Sequence, residues 1–298
     1  MKKKREEKMR NPIVQGWYAD PESVVYDDKV YIYVTKSLPY EEQKNIDLVV
    51  SSDLENFDII PDVLDMSTFP GTWRCVWAPS AVEKDGKYYV IFSTNAIGSD
   101  DEIGGLYIGV SDKPEGPFQN IYENGKPFIN KFYNGAQPID AHFYKEDEDV
   151  YLYYGGWGHL NVCKMNADMD GMAALQEGRK DLIMEITPEG YHEAPCLLKT
   201  DTTYILMYSD GGWTNGTYCV KAAIADSLLG PFTYQKVILK ASEIADGPGH
   251  NSKFEFVGKT YVAYHRRRIG DDYPHHRELC IDEMVIDGNM IKPIVMTR

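Results

Sequence analysis

The stretch from Asp20 to Tyr33, DPESVVYDDKVYIY, decides the fold because its pattern returns four more times along the chain. It joins an apolar run, a short polar turn and a second run in which Tyr alternates with aliphatic residues, which predicts a β-hairpin. The four further stretches are WAPSAVEKDGKYYVIF from Trp77, IDAHFYKEDEDVYLYY from Ile139, HEAPCLLKTDTTYILMY from His192 and GHNSKFEFVGKTYVAYH from Gly249.

A tyrosine in the second run of each repeat sets a common register. In every repeat one marker residue lies 11 positions before such a tyrosine, and successive markers are 58, 62, 53 and 57 residues apart. The markers are Asp20, Ala78, Asp140, Glu193 and His250. A repeat of this length with several strands is typical of a propeller blade, whose inner strand lines a central channel. The spacing predicts an all-β, five-bladed β-propeller with the markers in one ring, whereas a β-sandwich would give them no common centre.

The remaining segments fit one domain. Residues 11–298 contain no linker and no shift in composition, which predicts a single propeller catalytic domain after a charged N-terminal extension, residues 1–10. The tail from Glu278 to Met296 predicts a hairpin around Asp287-Gly288-Asn289 that completes the last blade beside the N-terminal segment. Only Met169–Glu177 has a pattern compatible with a short helix.

Composition excludes several classes of partner. The chain has 298 residues and a net charge of −15, which argues against nucleic acid and anionic membrane surfaces and is compatible with a neutral substrate. Five scattered cysteines without a CxxC do not indicate a disulfide framework or a zinc site. The start MKKKREEKMRNP lacks the apolar run of a secretory signal, and no run is long enough to span a membrane, so we expect a cytoplasmic protein. No pattern predicts an oligomeric state.

Three of the five markers, Asp20, Asp140 and Glu193, are carboxylic acids. Converging carboxylates raise each other's pKa, and burial adds to the effect. A site that keeps one carboxyl ionised and another protonated is suited to glycoside hydrolysis, which needs a base to activate water and an acid to protonate the leaving oxygen. Carboxyls roughly 6.5–9.5 Å apart give inversion and roughly 5–5.5 Å apart give retention, and residues on different blades suit the wider gap. The alternative, in which each carboxylate caps a turn, is less favoured when three share one repeat position.

The chain resembles glycoside hydrolase family 43 over Asn11 to Pro293. The resemblance rests on GWYADPES, WAPS, DKPEGPF, QPIDAHFY, YHEAPCLLK, GPGHNSKF, AYHRR and LCIDEMVIDGNMIKPI. It implies an inverting five-bladed propeller enzyme, a β-xylosidase or α-L-arabinofuranosidase that releases terminal sugars from short hemicellulose-derived oligosaccharides. It also implies that Asp20 is the general base, that Asp140 tunes and orients the acid, and that Glu193 is the general acid.

The same resemblance extends to His250 and Arg277. It places His250 at the propeller axis beneath the active site, and Arg277 against the substrate hydroxyls and the catalytic carboxylates. Many family members hold a metal at that histidine, so Ca²⁺ with water as its remaining ligands is one expectation, although a single histidine is a poor site by itself. The alternative is a buried histidine bonded to channel water. No organic cofactor is implied.

The chain departs from the family pattern at two positions. Ser80 stands where many members have Asp, two residues past a marker, so we expect little effect on chemistry. Gly158 stands where related sequences have a larger residue, and it could widen the pocket.

Aromatic residues near the markers are candidates for substrate binding. Trp77 is next to a marker, and Trp157 and Trp213 follow Gly-Gly pairs, so each could stack on a sugar or instead pack between blades. His276 could line the pocket wall, while internal pairing is expected of the run Arg266–Arg268. Two other functions stay open: an endo-acting arabinanase of the same fold and a non-catalytic carbohydrate-binding propeller.

Overall fold

The computed structural model describes residues 10–298, which form a five-bladed β-propeller as the repeats predict. Residues 1–9 of the predicted extension lie outside the described residues. The part of the chain from 10 to 298 contains no α-helix, and no helix in it is long and apolar enough to cross a membrane. The helix expected at Met169–Glu177 is therefore wrong. The side chain of Asn166 accepts hydrogen bonds from the backbone N–H groups of Asp170 and Gly171, which favours a turn over a helix.

Each blade is an antiparallel sheet whose strands follow one another in chain order from the axis outward. Blade 1 consists of β1 (Tyr18–Tyr26), β2 (Lys29–Lys36), β3 (Ile46–Ser51) and β4 (Asp58–Ile60). Blade 2 consists of β5 (Trp77–Lys84), β6 (Lys87–Thr94), β7 (Gly105–Ser111) and β8 (Gln119–Asn120). Blade 3 consists of β9 (His142–Glu146), β10 (Asp149–Tyr154) and β11 (Asn161–Met165), whose outer edge pairs with both β12 (Met172–Ala173) and β13 (Ile183–Glu185).

The last two blades differ at their outer edges. Blade 4 consists of β14 (Glu193–Lys199), β15 (Tyr204–Asp210), β16 (Cys219–Ala225) and β17 (Thr233–Leu239). Blade 5 has three strands, β18 (Asp246–Phe256), β19 (Lys259–Arg267) and β20 (Arg277–Glu283), and is followed by the separate hairpin β21 (Ile286–Asp287) and β22 (Met290–Ile291). Short 3₁₀ turns occur at Tyr40–Glu42, Met66–Thr68 and Tyr133–Gly135.

The hydrophobic core consists of five clusters, one between each pair of neighbouring blades. The second strand of a blade is therefore buried on both faces, which explains why Tyr31, Ile32, Tyr33 and Val34 are consecutive and all buried. Large aromatic side chains fill the widening space between blades. The clusters fix how neighbouring inner strands face one another, and this sets the geometry of the axis.

The two termini close the ring. The backbone of Ile13 donates to Leu279, and the side chain of Asn11 bonds both the N–H and the carbonyl of Ile281, so the N-terminal segment takes the outer place beside β20. The tail forms only a short hairpin and then turns to blade 4, where Ile294 donates to Ile238. The predicted meeting of the termini at the last blade is thus seen, but the N-terminal segment, and not the tail hairpin, completes that blade.

Asn11→Ala is expected to destabilise the fold by about 2–3 kcal/mol, because it leaves the buried N–H and carbonyl of Ile281 without partners. Urea unfolding of the purified variant measures this loss. The matched control is Asn124→Ala, at an exposed turn. Equal stability of the two variants would show that Asn11 does not close the ring.

Candidate active site

In four blades the marker region sits on a β-bulge of the innermost strand, and in blade 3 Asp140 lies just before the innermost strand, β9. The ladder shifts register between Ala19 and Glu22 in β1, and equivalent shifts occur in β5, β14 and β18. At these positions φ is positive, which is uncommon outside glycine: Asp20 (50°), Ala78 (47°), Asp140 (52°), Ala194 (58°) and His250 (43°). A bulge re-aims a side chain that would otherwise alternate between sheet faces. The five blades thus present equivalent residues toward one axis.

Each bulge is held by the preceding blade. The backbone N–H of Ala78 donates to Thr35 Oγ1 at 2.9 Å and that of Asp140 to Ser93 Oγ at 3.2 Å. Likewise, the N–H of His250 donates to Ser209 Oγ at 2.9 Å, and that of Asp20 to His265 Nδ1 at 3.2 Å. These acceptors lie at the ends of the second strands, opposite the residue before each bulge. The same kind of hydrogen bond, from a backbone N–H at the axis to a polar side chain of the preceding blade, therefore occurs at four blade junctions, and we call it the clasp.

The junction between blades 3 and 4 is the exception. Gly155 occupies the acceptor position there, paired with Ile139, and offers no side chain. The N–H of Ala194 instead faces the carboxylate of Asp140 and favours its ionised form. Ala194, and not Glu193, holds the position equivalent to the other markers, because Cys196 pairs with Met207 just as Glu22 pairs with Tyr33 in blade 1, and this register places Ile205, not Tyr204, at the tyrosine position. Glu193 lies one residue earlier, where its side chain still reaches the other two carboxyls.

Asp20 is held in its ionised form. Burial opposes ionisation, but Arg277, His250 and a hydrogen bond to His265 outweigh it and keep the pKa of Asp20 well below its ordinary value. Arg277 Nη1 donates to Asp20 Oδ1 at 3.0 Å, and its Nε donates to Ser37 Oγ at 2.9 Å. The Asp20 and Arg277 side chains are only 10% and 8% exposed, so solvent screens their attraction little. Arg277 thus contacts the carboxylate of Asp20, which is one of the contacts that the resemblance implies for it.

Asp140 and Glu193 have the opposite character. Burial and the negative charges of Glu193 and Asp20 raise the pKa of Asp140 well above its usual range. Burial also raises the pKa of Glu193; a hydrogen bond from Tyr218 and the nearby His192 oppose the rise, and Asp20 adds to it. Both shifts favour the protonated form of these two carboxyls. The site therefore combines one carboxylate that is held ionised with two carboxyls that are biased toward protonation.

His250 lies between the two aspartates. Its Nδ1 is 3.4 Å from Asp20 Oδ1 and 3.5 Å from Asp140 Oδ2. Burial, together with His265 and Arg277, lowers the pKa of His250 to about 4 against the opposing charge of Asp20, so the ring is neutral at pH 7. Within residues 10–298 no three His, Cys, Asp or Glu side chains are grouped as metal ligands. Ca²⁺ needs six to eight oxygens, so these residues alone do not fit it, and no step below depends on a metal.

An aromatic arc, defined here as Trp77, Tyr40, His275 and Trp213, borders the site on the Arg277 side. Neighbouring ring centroids along this arc are 5.2, 5.2 and 5.9 Å apart. Trp213 lies 5.0 Å from the guanidinium of Arg277, and the indole N–H of Trp77 donates to Gln43. Trp213 thus lies beside Arg277, Trp77 belongs to the same arc, and substrate binding by the two stays a prediction.

Trp157 and His276 lie farther out. Trp157 is 52% exposed and packs against Phe132. The N–H of the adjacent Gly158 donates to the carbonyl of His192, the residue before Glu193. Gly158 therefore makes a turn at positive φ as well as leaving space. His276 stacks on Trp17 and bonds Asp271, so it faces the outer rim, while His275 occupies the arc.

The run Arg266–Arg268 and the buried Ser80 both form hydrogen bonds within the protein. Each member of the run Arg266–Arg268 bonds within the protein: Arg266 to Thr297 and Asn11, Arg267 to Thr214 and Asp271, and Arg268 to Glu278. Ser80 is fully buried, donates to Glu22 at 3.1 Å and accepts from the N–H of Phe143 at 2.9 Å. It therefore ties blades 1, 2 and 3 together below the carboxylates.

Four residues of the site were not predicted from the sequence: Tyr40, Tyr218, His265 and His275. They come from loops or from strand ends outside the repeated inner strand, so the register that found the markers could not find them. The one usable signal was a matching position in the second strands. Thr35, Ser93 and His265 each lie four residues after the register tyrosine of their blade. Ser209 lies four residues after Ile205, which holds the tyrosine position in blade 4.

Comparison with known proteins agrees with this geometry. Residues 9–290 match the sequence model of glycosyl hydrolases family 43. The chain is 36% identical over 305 residues to a β-D-galactofuranosidase of Aspergillus niger, covering 97% of this chain and 86% of that protein. It is 28% identical to a β-xylosidase of Xylanibacter ruminicola, covering 91% and 94% of the two chains. A crystal structure of a β-xylosidase/α-arabinofuranosidase from a compost metagenome, in complex with xylotriose and calcium-free, matches with a TM-score of 0.79 and 25% identity over 97% and 98% of the chains.

Gly155→Ala is expected to destabilise the protein by roughly 2 kcal/mol more than Gly86→Ala, because overpacking strains the junction that carries Asp140. A Cβ at Gly155 would lie 2.2 Å from the carbonyl oxygen of His159, whereas Gly86 also has positive φ but meets nothing within 4 Å. Thermal unfolding of the two variants measures the combined effect of this contact and of the less favourable φ of 141° at Gly155, against 74° at Gly86. A similar loss in both would mean that the junction tolerates a side chain.

Proposed function

The chain belongs to glycosyl hydrolase family 43 and is a glycosidase, and from this premise we propose that it is an inverting exo-glycosidase acting on short hemicellulose-derived oligosaccharides. The observation that carries the proposal is the division of charge among the three carboxyls. Asp20 is held ionised by Arg277, while Asp140 and Glu193 are biased toward protonation. An inverting enzyme needs this combination of one base and one acid at the same pH.

The proposed mechanism is a single displacement. Asp20 accepts a proton from water as the water oxygen attacks the anomeric carbon. Glu193 donates its proton to the departing glycosidic oxygen, so the bond to the leaving sugar breaks as the bond to water forms. Asp140 interacts electrostatically with Glu193 and is the residue proposed to tune and orient it before the transfer. Arg277 remains paired with Asp20, and it is placed to contact a hydroxyl of the bound sugar.

Terminal xylose and arabinofuranose are the proposed sugars, supported by relatives named β-xylosidase and xylosidase/arabinosidase. Galactofuranose is a second candidate, because the relative that is 36% identical is a β-D-galactofuranosidase. The catalytic carboxyls do not discriminate among these sugars, since water attack and leaving-group protonation are common to all three. Discrimination rests on the walls of the pocket, among which Trp77, Trp213 and Arg277 are the proposed sugar contacts.

Exo action and cytoplasmic location are proposed together. A protein inside the cell meets imported short oligosaccharides, and an exo enzyme shortens them one terminal sugar at a time. The competing endo-acting arabinanase would release oligosaccharides from linear arabinan, and a binding propeller would release nothing. Product analysis by chromatography separates these outcomes.

Proton NMR of the reaction tests the mechanism and the sugar in one experiment. The substrates are the 4-nitrophenyl β-D-xylopyranoside, α-L-arabinofuranoside and β-D-galactofuranoside. We expect the first product to have the inverted anomeric configuration, and the fastest substrate identifies the sugar. A product of retained configuration would require a covalent intermediate and would overturn the roles given to Asp20 and Glu193.

Asp20→Asn and Glu193→Gln are expected to lower turnover of a natural oligosaccharide by roughly 10²–10⁴-fold, the usual contribution of a general acid or base. With a dinitrophenyl glycoside, whose leaving group needs no proton, Glu193→Gln should recover most of its activity and Asp20→Asn should not. Glu255→Gln, at an exposed position of β18, is the control for the loss of a carboxylate. Near-normal hydrolysis of the oligosaccharide by either variant would refute the assignment.

A further inference from the structure

We propose that Tyr218 is a positioning residue that reserves Oε1 of Glu193 as a hydrogen-bond acceptor and so places the catalytic proton on Oε2. This inference rests on the proposed role of Glu193 as the general acid. Tyr218 directly precedes β16, outside the repeated inner strand, and its side chain reaches Glu193 at the start of β14.

The contact is short and buried. The phenol of Tyr218 donates to Glu193 Oε1 at 2.7 Å, in a side chain that is only 1% exposed. A hydroxyl that donates to a carboxylate makes a stronger bond than one between neutral groups. Burial and the neighbouring carboxylates raise the pKa of Tyr218 well above its usual range, so the phenol stays protonated and remains a donor across the working pH range.

The ring of Tyr218 fits a slot made by the next blade. It stacks on the imidazole of His265 with centroids 5.7 Å apart and planes 10° apart. At Gly249 any Cβ would lie 2.0 Å from Tyr218 Cε1, so only glycine leaves room for the ring. His265 in turn accepts the backbone N–H of Asp20. One stack therefore fixes a partner of the proposed acid and a partner of the proposed base in the same rigid unit.

Occupation of Oε1 decides where the acid carries its proton. When Glu193 is protonated, the oxygen that accepts from Tyr218 cannot conveniently carry the hydrogen, so the proton resides on Oε2. That oxygen lies 3.9 Å from Nε2 of His192, whose side chain is 46% exposed. Oε2 thus faces the open side of the site, where the glycosidic oxygen of a substrate must lie. Tyr218 acts through Glu193 and does not need to touch the substrate.

Several other groups face Glu193 and stay unchanged when the Tyr218 hydroxyl is removed. The charged and titratable neighbours are Asp20, Asp140, His192, Arg277, Tyr40 and Tyr191. The hydrogen bond from Tyr218 favours the ionised form of Glu193 and so opposes the effect of burial on its pKa. Removal of the hydroxyl alone should therefore raise the pKa of Glu193.

The test compares Tyr218→Phe with Tyr153→Phe. Tyr153 is a matched control because its ring is also buried and its hydroxyl donates at 2.7 Å, but to the carbonyl of Leu228. Glutamate labelled with ¹³C at the carboxyl reports titration of Glu193 by NMR, and the signal is assigned by its loss in Glu193→Gln. We expect Glu193 to titrate at higher pH in Tyr218→Phe than in the wild type, and at the wild-type pH in Tyr153→Phe. An unchanged titration in Tyr218→Phe would overturn the proposal.

Kinetics supply the second readout. Since the acid must be protonated, the alkaline limb of kcat/KM should move to higher pH in Tyr218→Phe. Misplacement of the proton should lower kcat on an unactivated oligosaccharide by about tenfold, with little effect on a dinitrophenyl glycoside. Equal losses on both substrates would show a merely structural role and overturn the proposal. A shifted NMR titration in a protein that hydrolyses no glycoside would instead reject the proposed function and still support the coupling of Tyr218 to Glu193.

Discussion

The ion pair between Arg277 and Asp20 is the interaction on which the site depends. Three carboxyls converge in a buried place, and full ionisation of all three would be prohibitive there. Arg277 makes Asp20 the carboxyl that keeps its charge, while the pKa values of Asp140 and Glu193 are both raised. Breaking a buried pair of this kind by removing one partner typically costs about 3–5 kcal/mol. The pair is therefore important for folding and, under the proposed mechanism, for the separation of base from acid.

The backbone clasps make this electrostatic arrangement possible. Positive φ at the five axis positions is a strained conformation, and at four of them a clasp offsets some of that strain by giving the backbone N–H a partner on the preceding blade. Two glycines interrupt the repeated pattern close to the three carboxyls. Gly155 removes the clasp between blades 3 and 4, and the N–H of Ala194 turns to Asp140. Gly249 removes a side chain so that Tyr218 can reach Glu193. At both places a glycine departs from the repeated pattern, and a hydrogen-bond donor contacts a carboxyl of the site there.

The fold could be predicted from the sequence because the hairpin and the position of its tyrosine recur from blade to blade. The five hairpins, the ring at the axis and the bonding of Arg266–Arg268 to other parts of the protein followed from local pattern. The same register misplaced blade 4 by one residue, because Ile205, and not Tyr204, occupies the position that tyrosine holds in the other four blades. The predicted helix failed because the side chain of Asn166 competes for backbone donors. Tyr218 and His275 could not be predicted, because their contacts join different blades and depend on inter-blade packing that no single segment encodes.

The arrangement of the rim explains how one set of carboxyls can serve several sugars under the proposed mechanism. The attacking water must approach beside Asp20, so the sugar that is cleaved lies toward Arg277 and the aromatic arc. The leaving group must lie beside Glu193, toward His192 and the exposed pair Trp157 and Phe132. Substitutions in the arc can then alter the sugar that is accepted, while substitutions near Trp157 alter the leaving group, and neither disturbs the Arg277–Asp20 pair. Relatives with different named sugars align over more than nine-tenths of this chain, as expected if selectivity changes at the rim while the buried charges are kept.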